Sequence, residues 1–513
     1  MPLSRRQFLS TALAFAATPA FAQKSQDRLV AAFPRAVRTL DGNYADLREN
    51  DILGLLVDDA LFAVSPTSGE PVPLAAKSHR FIDPTTLRID LREDVRFHDG
   101  SAMTAEDVVY TYRYLLNEKT KNPYQARFSL WLGGITQEGA HAVVFSLKQP
   151  YAMALYDLAM YSKIRKAGTY DDPSKADGIN PDVNTLKLNG TGPYRVTAFR
   201  PGQDIVLERF DGYRSDSPKQ PTIRHITIRV IPDWGTQAAE VMSGGVHWTF
   251  GMPSEIAEGA AQTGAMQLLS GPSMRVFYIS LDATGQTSGS APLKDLRVRR
   301  AVNHAIDRDG IVKNLLKGAS RRLDTPCDPI QFGCSTESAI RYEYDPNKAR
   351  ALLTEAGYAQ GFEIEFWAAL NRPAVEAITA QLGAVGIRAT LRYVQGATLT
   401  QARREQKIAM EFASSGSFGI PDAGAILVDR MGPNSPRNYS GDDALGRTIM
   451  AAVSTYDRQE RLMHFADAVR RMTDQAYWVP LWTESQNFLM SPDLVYEQPG
   501  DGMPRLYMAR WRR

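Results

Sequence analysis

The sequence predicts an α/β fold built from at least two lobes. Three observations carry this expectation. Apolar patterns of period 2 alternate along the chain with patterns of period 3.6, as in sheets covered by helices. At 513 residues the chain is too long for one compact core. Neither an internal repeat nor a low-complexity linker interrupts it.

Taken from the N-terminus, Ser4-Arg5-Arg6-Gln7-Phe8-Leu9 places two arginines directly before an apolar stretch that reaches Phe21. This is the pattern of a twin-arginine export signal, although Ser10 stands where such signals often carry lysine. The stretch is too short to span a bilayer, and Ala20-Phe21-Ala22 supplies the small residues of a cleavage site. Cleavage near Ala22 would release the mature chain at Gln23 into the periplasm, with no following cysteine to carry a lipid.

Half-buried strands are expected where Leu87, Ile89 and Leu91 alternate with polar neighbours, then at Ile226, Ile228 and Val230, and again at Phe362, Ile364 and Phe366. Thr104 is placed to cap a helix whose Val108, Tyr112, Leu115 and Leu116 share a face, with Asp107 in its first turn. Asp345 caps a second helix, Pro346 opens it where a missing N–H costs nothing, and Gly357 ends it in the left-handed conformation. A third starts at Asp457 with Glu460 as a capping box and carries Leu462, Phe465, Val469 and Met472 along one stripe.

The chain holds 59 Lys and Arg against 57 Asp and Glu, and loss of Arg5 and Arg6 with the signal leaves 57 against 57. That neutrality, with no basic run carrying interleaved aromatics, argues against a nucleic-acid or anionic-membrane partner. Cys327 and Cys334 are the only cysteines, and in an oxidising compartment their short loop reads as a disulfide. No histidine or second cysteine pair lies near them to complete a tetrahedral metal site.

The run Leu91-Arg92-Glu93-Asp94-Val95-Arg96-Phe97-His98-Asp99-Gly100, followed by Met103-Thr104-Ala105-Glu106-Asp107-Val108, resembles the signature of family 5 solute-binding proteins, the dipeptide, oligopeptide and nickel-binding type. Asn189-Gly190-Thr191-Gly192-Pro193-Tyr194, the run from Leu296 through Asn303 to Arg308, Tyr344-Asp345-Pro346 through Gly357-Tyr358, and Val479-Pro480-Leu481-Trp482 resemble the same family in the same order. The resemblance implies a two-lobed type II periplasmic-binding-protein fold with an extra domain inserted in lobe I. The corresponding division is a signal over 1–22, lobe I over 23–50, the inserted domain over 51–175, lobe I again over 176–272, lobe II over 273–485 and a return to lobe I over 486–513. It further implies a monomeric receptor that closes on a peptide-like or small organic solute and delivers it to the membrane subunits of an ABC permease. The alternatives are a nickel or metal-chelate receptor and a periplasmic sensor of the same fold.

The motifs themselves have structural explanations: Gly190 and Gly192 permit a tight backbone path, and Asp99-Gly100 is a turn. Ligand evidence lies elsewhere. Peptide-binding relatives carry a tryptophan and then an aspartate, which holds the ligand's ammonium, near the stretch aligned with Gly416-Ser417-Phe418-Gly419-Ile420-Pro421-Asp422. Here Ser417 or Phe418 falls at the aromatic position and Gly419 at the aspartate. Either Asp422 substitutes from a shifted loop or the ligand is not held by a free amino terminus, and the cost of an unpartnered buried ammonium favours the second. Gly419 would then enlarge the cleft, and Arg35 and Arg372, at strand-to-loop positions, would grip a carboxylate. Trp131, Trp367, Phe418 and Tyr439 are the aromatics placed to stack on an organic ligand.

Of the scattered histidines, only His225 and His247 invite pairing, at no known metal spacing, and His464 reads as a helix-surface residue. There is no His-Glu-x-x-His, nucleophile elbow, lysine-bearing P-loop or dinucleotide fingerprint, so neither an enzyme nor a resident cofactor is expected.

Overall fold

The computed structural model describes residues 27–45, 47–433 and 435–512. Arg5, Arg6 and the cleavage point near Ala22 lie outside the described residues.

Arg28–Phe33 opens a four-stranded sheet, with His225–Val230 parallel beside it and Asp204–Arg209 and Tyr194–Arg200 antiparallel beyond. Leu29, Ala31, Phe33, Ile226 and Ile228 pack there with Leu53 and Leu56 of the helix Arg48–Val57. A second four-stranded sheet, wholly antiparallel, orders Ala76–Asp83, Thr86–Leu91, Ala142–Leu147 and Leu132–Gln137. Leu87, Ile89 and Leu91 are buried and share a core with Val108, Tyr112 and Leu115 of the helix Ala105–Leu116.

The third sheet has six strands, ordered Arg321–Arg322, Trp478–Thr483, Val276–Leu281, Met410–Ser415, Phe362–Ala368 and Ile387–Tyr393. Pairing is antiparallel through Met410–Ser415 and parallel thereafter, the helix Arg372–Ala384 making the crossover between the last two strands. Val276–Leu281 and Trp478–Thr483 are buried at every residue, so they read as continuous apolar runs, whereas Phe362–Ala368 shows the alternation of a strand with one wetter face. Two stretches of chain, 272–275 and 484–485, connect this sheet to the antiparallel pair Gln267–Gly271 and Gln486–Met490, which adjoins the first sheet through Trp248.

The expected helices form, with one difference, at the cap of the third. At Ala105–Leu116 Thr104 caps as expected, and with Asp107 it closes a capping box in which Asp107 Oδ2 accepts from the Thr104 backbone N–H at 2.7 Å. At Arg458–Asp474 Asp457 accepts from the N–H groups of Gln459 and Glu460, but the Glu460 carboxylate takes the Thr455 hydroxyl instead of closing a capping box. Pro346–Glu355 begins at Asp345 as expected, and Gly357 follows it at φ +88°.

Two of the family-like runs meet in space. The His98 N–H donates to Gly190 O at 2.8 Å and the His98 ring bonds Gly192 O at 3.0 Å, while Gly192 N–H donates to Val57 O at 3.0 Å. A Cβ on Gly190 would lie 2.0 Å from Val57 O, and one on Gly192 2.5 Å from the Asp58 nitrogen. These glycines therefore let one turn press against the end of the helix Arg48–Val57. Gly192→Ala is expected to lower stability by about 1–3 kcal/mol, because backbone rather than a movable side chain occupies the space. A urea midpoint unchanged from the wild type would contradict this.

Burial beneath that turn is unusually rich in charge. Arg165, with none of its surface exposed, bridges Asp41 at 2.8 Å and Asp58 at 2.5 Å, and Arg214 and Lys219 both reach the buried Asp59 at 3.0 Å.

Cys327 and Cys334 are joined by a disulfide with a Cα separation of 5.8 Å. The loop it closes is held to the body by Phe332, which exchanges backbone hydrogen bonds with Pro421 and Ala423, and by Gly333, packed on the Phe465 ring. Constraint of the unfolded chain by so short a loop is worth about 2 kcal/mol, so reduction is expected to lower the melting temperature. Cys327→Ser/Cys334→Ser should match the reduced protein, and a melting temperature insensitive to reductant would contradict the assignment.

Candidate ligand-binding cleft

Three elements bring guanidinium groups to the junction of the first and third sheets. The helix Arg48–Val57 buries Ile52, Leu53 and Leu56 and carries Arg48 and Asp51, one turn apart, in its first turn. Arg48 donates to the Gly502 carbonyl and lies 5.7 Å from the Phe250 ring centre. Gly502, at φ +68°, packs so closely on the connecting strand that a Cβ there would sit 2.9 Å from Ser273 Cβ.

Two residues further along that strand is Arg275. Its Nη1 donates to Ser414 Oγ at 3.0 Å, and its Nη2 would lie 3.1 Å from a Cβ on Gly416. Arg430, on the helix Gly424–Met431, approaches the Ser414 carbonyl at 3.4 Å and pairs with Asp429 at 2.9 Å, and Arg437 also pairs with Asp429 at 2.9 Å. Tyr278 stacks on Trp478 at 3.6 Å between ring centres, and Arg403 and Glu411 form a close ion pair beside them.

The charge is unevenly compensated. Glu49 holds Arg35 through two hydrogen bonds of 2.9 and 2.8 Å, and Glu484 accepts from Asn371 Nδ2 at 2.6 Å. Among the described residues neither Arg48 nor Arg275 has a carboxylate within ion-pair distance. Burial, then the nearby Arg275, push the Arg48 pKa down to about 9. Burial and then Arg35 lower that of Arg275. Burial pushes the Asp51 carboxyl up to about 7, against the pull of Lys163 and Arg48. Glu49, Asp501 and Glu484 act on these two guanidiniums without touching them, which leaves donor groups of both open to an anion.

The residues singled out from the sequence fall in several places. Arg35 reaches the cleft edge, but Glu49 already neutralises it. Tyr439 joins the cleft wall near Glu411 and Arg403, its buried hydroxyl without a hydrogen-bond partner and its pKa raised to about 12 by burial. The Phe418 side chain lies outside the described residues.

Three expectations are corrected, at Trp131, Gly419 and Arg372, and the alternative left open at Asp422 is closed. Trp131 has none of its surface exposed: it stacks on Tyr151 at 5.4 Å and donates to Asp157 at 3.0 Å inside the core of the second sheet. Asp422 does not substitute as an amine partner, because Arg461 occupies its Oδ2 at 2.7 Å and the Gly424 N–H its Oδ1 at 2.8 Å. Gly419, at φ +74°, does not enlarge the cleft, because Asp501 and Met503 fill the space, 3.1 and 3.2 Å from where its Cβ would be. Arg372 is taken up by Glu376 at 3.2 Å and by the Tyr393 ring, 4.6 Å from its centre. Trp367 packs against Leu399, Ala402 and Ile408 and bonds Glu365 at 3.1 Å. His247 is buried with Nδ1 accepting from the Val30 N–H at 2.9 Å, and no group of three metal-ligating side chains occurs among the described residues.

Sequence reasoning missed Arg48, Arg275 and Arg430. One signal was available: Arg275 immediately precedes the wholly apolar strand Val276–Leu281, where a charge has no reason to sit unless the chain is crossing a polar junction.

Residues 70–431 match the family described as bacterial extracellular solute-binding proteins, family 5 Middle. The chain is 28% identical over 439 residues to the dipeptide-binding protein of Escherichia coli K12, covering 79% of this chain and 80% of that one. Among solved structures it superposes on the periplasmic binding protein DppA of Helicobacter pylori in complex with the peptide STSA, with a TM-score of 0.85 at 20% identity over 96% of this chain and all of that one. It also superposes on AgaA from A. tumefacien R10 in complex with agropinic acid, with a TM-score of 0.83 at 21% identity over 95% and 99% of the two chains. The type II periplasmic-binding fold expected from the sequence is thus the observed one, and no described helix is long and apolar enough to cross a membrane. The chain belongs to the bacterial extracellular solute-binding proteins of family 5, receptors for solutes rather than enzymes.

Proposed function

We propose that this protein is the periplasmic receptor of an ABC importer for a small organic solute bearing at least one carboxylate, held between its lobes. The observation that carries this reading is the convergence of Arg48, Arg275 and Arg430, two of them without an anionic partner among the described residues. Guanidinium groups match carboxylate geometry, and in a desolvated cleft they favour an acid over a neutral isostere. The relatives support the same chemistry: a peptide and agropinic acid, the ligands named in two superposed structures, both carry carboxylates. In this reading the lobes close on the solute about the two crossings at 272–275 and 484–485. Export by the twin-arginine signal delivers the protein to its compartment.

A thermal-shift screen of the refolded, ligand-stripped mature protein against peptides, carboxylates, sugars and metal chelates tests the reading, because a ligand that binds only the native state raises its stability. Hits are expected among acids, with their uncharged amides inactive. A response confined to sugars or other neutral solutes would refute it.

A further inference from the structure

We propose that the disulfide-closed loop 327–334 braces the cleft wall 416–423, so that Cys327, Gln331 and Cys334 act as positioning residues for the guanidinium cluster and not for stability alone. The consequence for a ligand rests on the reading above; the brace itself does not.

The wall is a strained turn. It leaves the strand Met410–Ser415 at Gly416, where a Cβ would lie 3.1 Å from the Arg275 guanidinium. Ser417 follows at φ +49° and Gly419 at φ +74°. Ser417 is buried, and its hydroxyl has no hydrogen-bond partner. A non-glycine residue held in the left-handed region persists only where its surroundings over-determine it. Bonds inside the turn are local, from Gly419 N–H to Gly416 O at 3.0 Å and from Ile420 N–H to Ser417 O at 2.9 Å.

The disulfide loop supplies the outer restraint. Three successive carbonyls past the turn accept from it: Ile420 O from Gln331 Nε2 at 2.9 Å, Pro421 O from the Phe332 N–H at 2.9 Å, and Asp422 O from Gln331 Nε2 at 3.2 Å. The Ala423 N–H returns a bond to Phe332 O at 2.9 Å. Gln331 is itself aimed, because its Oε1 accepts the Asp328 N–H at 3.1 Å and so leaves Nε2 to face the wall. At its other side the loop is rooted in the body of the lobe. Buried Asp328 pairs with Arg321, on the edge strand of the six-stranded sheet, at 2.6 Å. Arg458 and Arg461, from the helix Arg458–Asp474, lie 4.1 and 4.9 Å from the Phe332 ring centre.

The braced segment carries the cluster on both of its flanks. Upstream, Ser414 receives Arg275 on its hydroxyl and Arg430 on its carbonyl. Downstream the chain enters the helix Gly424–Met431, which holds Asp429 and Arg430. Without the disulfide the loop can open, Gln331 and Phe332 are no longer held together against the wall, and the strained turn relaxes. Gly416 then moves against Arg275, and the start of the helix moves with it. Guanidinium recognition of an acid depends on fixed geometry, so that shift weakens binding.

Hydrogen exchange of the ligand-stripped mature protein, read by mass spectrometry over minutes, tests the brace. In Cys327→Ser/Cys334→Ser the peptide covering 416–424 is expected to exchange on the order of tenfold faster than in the wild type. The strand Val276–Leu281 is expected to stay protected in both proteins over the same minutes. Gln331→Met keeps the disulfide and the side-chain length but donates nothing; it is expected to accelerate the same peptide and decides where the double variant does not fold. Acceleration confined to 327–334, or shared by Val276–Leu281, would overturn the brace.

Calorimetric titration with succinate and citrate tests the consequence for a ligand. An acid that binds the wild type is expected to bind the folded double variant about tenfold more weakly, because the site must be ordered anew on binding. Equal affinity would show that the loop does not shape the site. If neither acid binds the wild type the carboxylate reading falls, while exchange still decides the brace.

Discussion

Replacing Arg165 with alanine is expected to destabilise the protein by about 3–5 kcal/mol, the cost of removing one partner from a buried ion cluster. The guanidinium bonds Asp41 at 2.8 Å and Asp58 at 2.5 Å, all three side chains lie within about 1% of full burial, and Tyr170 and Asn184 complete the shell around Asp41. Burial alone would raise the Asp41 carboxyl, but Arg165 and these hydrogen bonds hold it below the ordinary carboxylate range. Without Arg165 two carboxylates remain in the interior with no cation between them. Urea denaturation of Arg165→Ala measures the loss. A change within ~0.5 kcal/mol, typical of a surface arginine, would show that the cluster contributes nothing to stability.

Acidification is expected to cost about 3 kcal/mol through His247 alone. Burial lowers its pKa from the ordinary 6.5 to about 4, and its Nδ1 accepts the Val30 N–H, a bond that a protonated ring cannot accept. Its other neighbour is the edge-on Trp511 ring at 5.0 Å, which offers no charge to stabilise an imidazolium. Above pH 6.5 the ring is neutral in both states and the effect is absent. As the pH falls from 6.5 towards 4 the unfolded chain takes up a proton that the folded one refuses, so stability is lost across that window and the loss levels off below it. His247→Asn, whose side-chain oxygen can take the same N–H, should lack this component. Parallel stability profiles for the two proteins between pH 7 and 4 would contradict the assignment.

Much of the fold was legible because its signals are local. Alternating residues marked Thr86–Leu91, His225–Val230 and Phe362–Ala368 as strands, and Asp345 with Pro346 marked a helix start. Val276–Leu281 escaped that pattern because the strand is covered on both faces. At Ala105–Leu116 the cap at Thr104 was evident, and Asp107 returns a bond to it in a capping box.

The site was less legible because its members are remote in sequence. Arg48 and Arg275 become neighbours only through Gly502, which comes from near the end of the chain. The absence of an aspartate at Gly419 was visible in the sequence; that Asp501 and Met503 fill the vacated space was not. Asp422 and Trp131 looked available because a sequence does not show that Arg461 and Asp157 already hold them. Unpartnered charge, the property that distinguishes Arg275 from the paired Arg35 and Arg372, is a feature of the fold alone.

A crystal structure of the mature protein with the strongest ligand of the thermal-shift screen tests the central claim most directly. This account expects an acidic group of the ligand between the lobes, its oxygens about 2.7–2.9 Å from the guanidinium nitrogens of both Arg48 and Arg275. A ligand that presents only neutral groups to Arg275, or that binds outside this cleft, would contradict it.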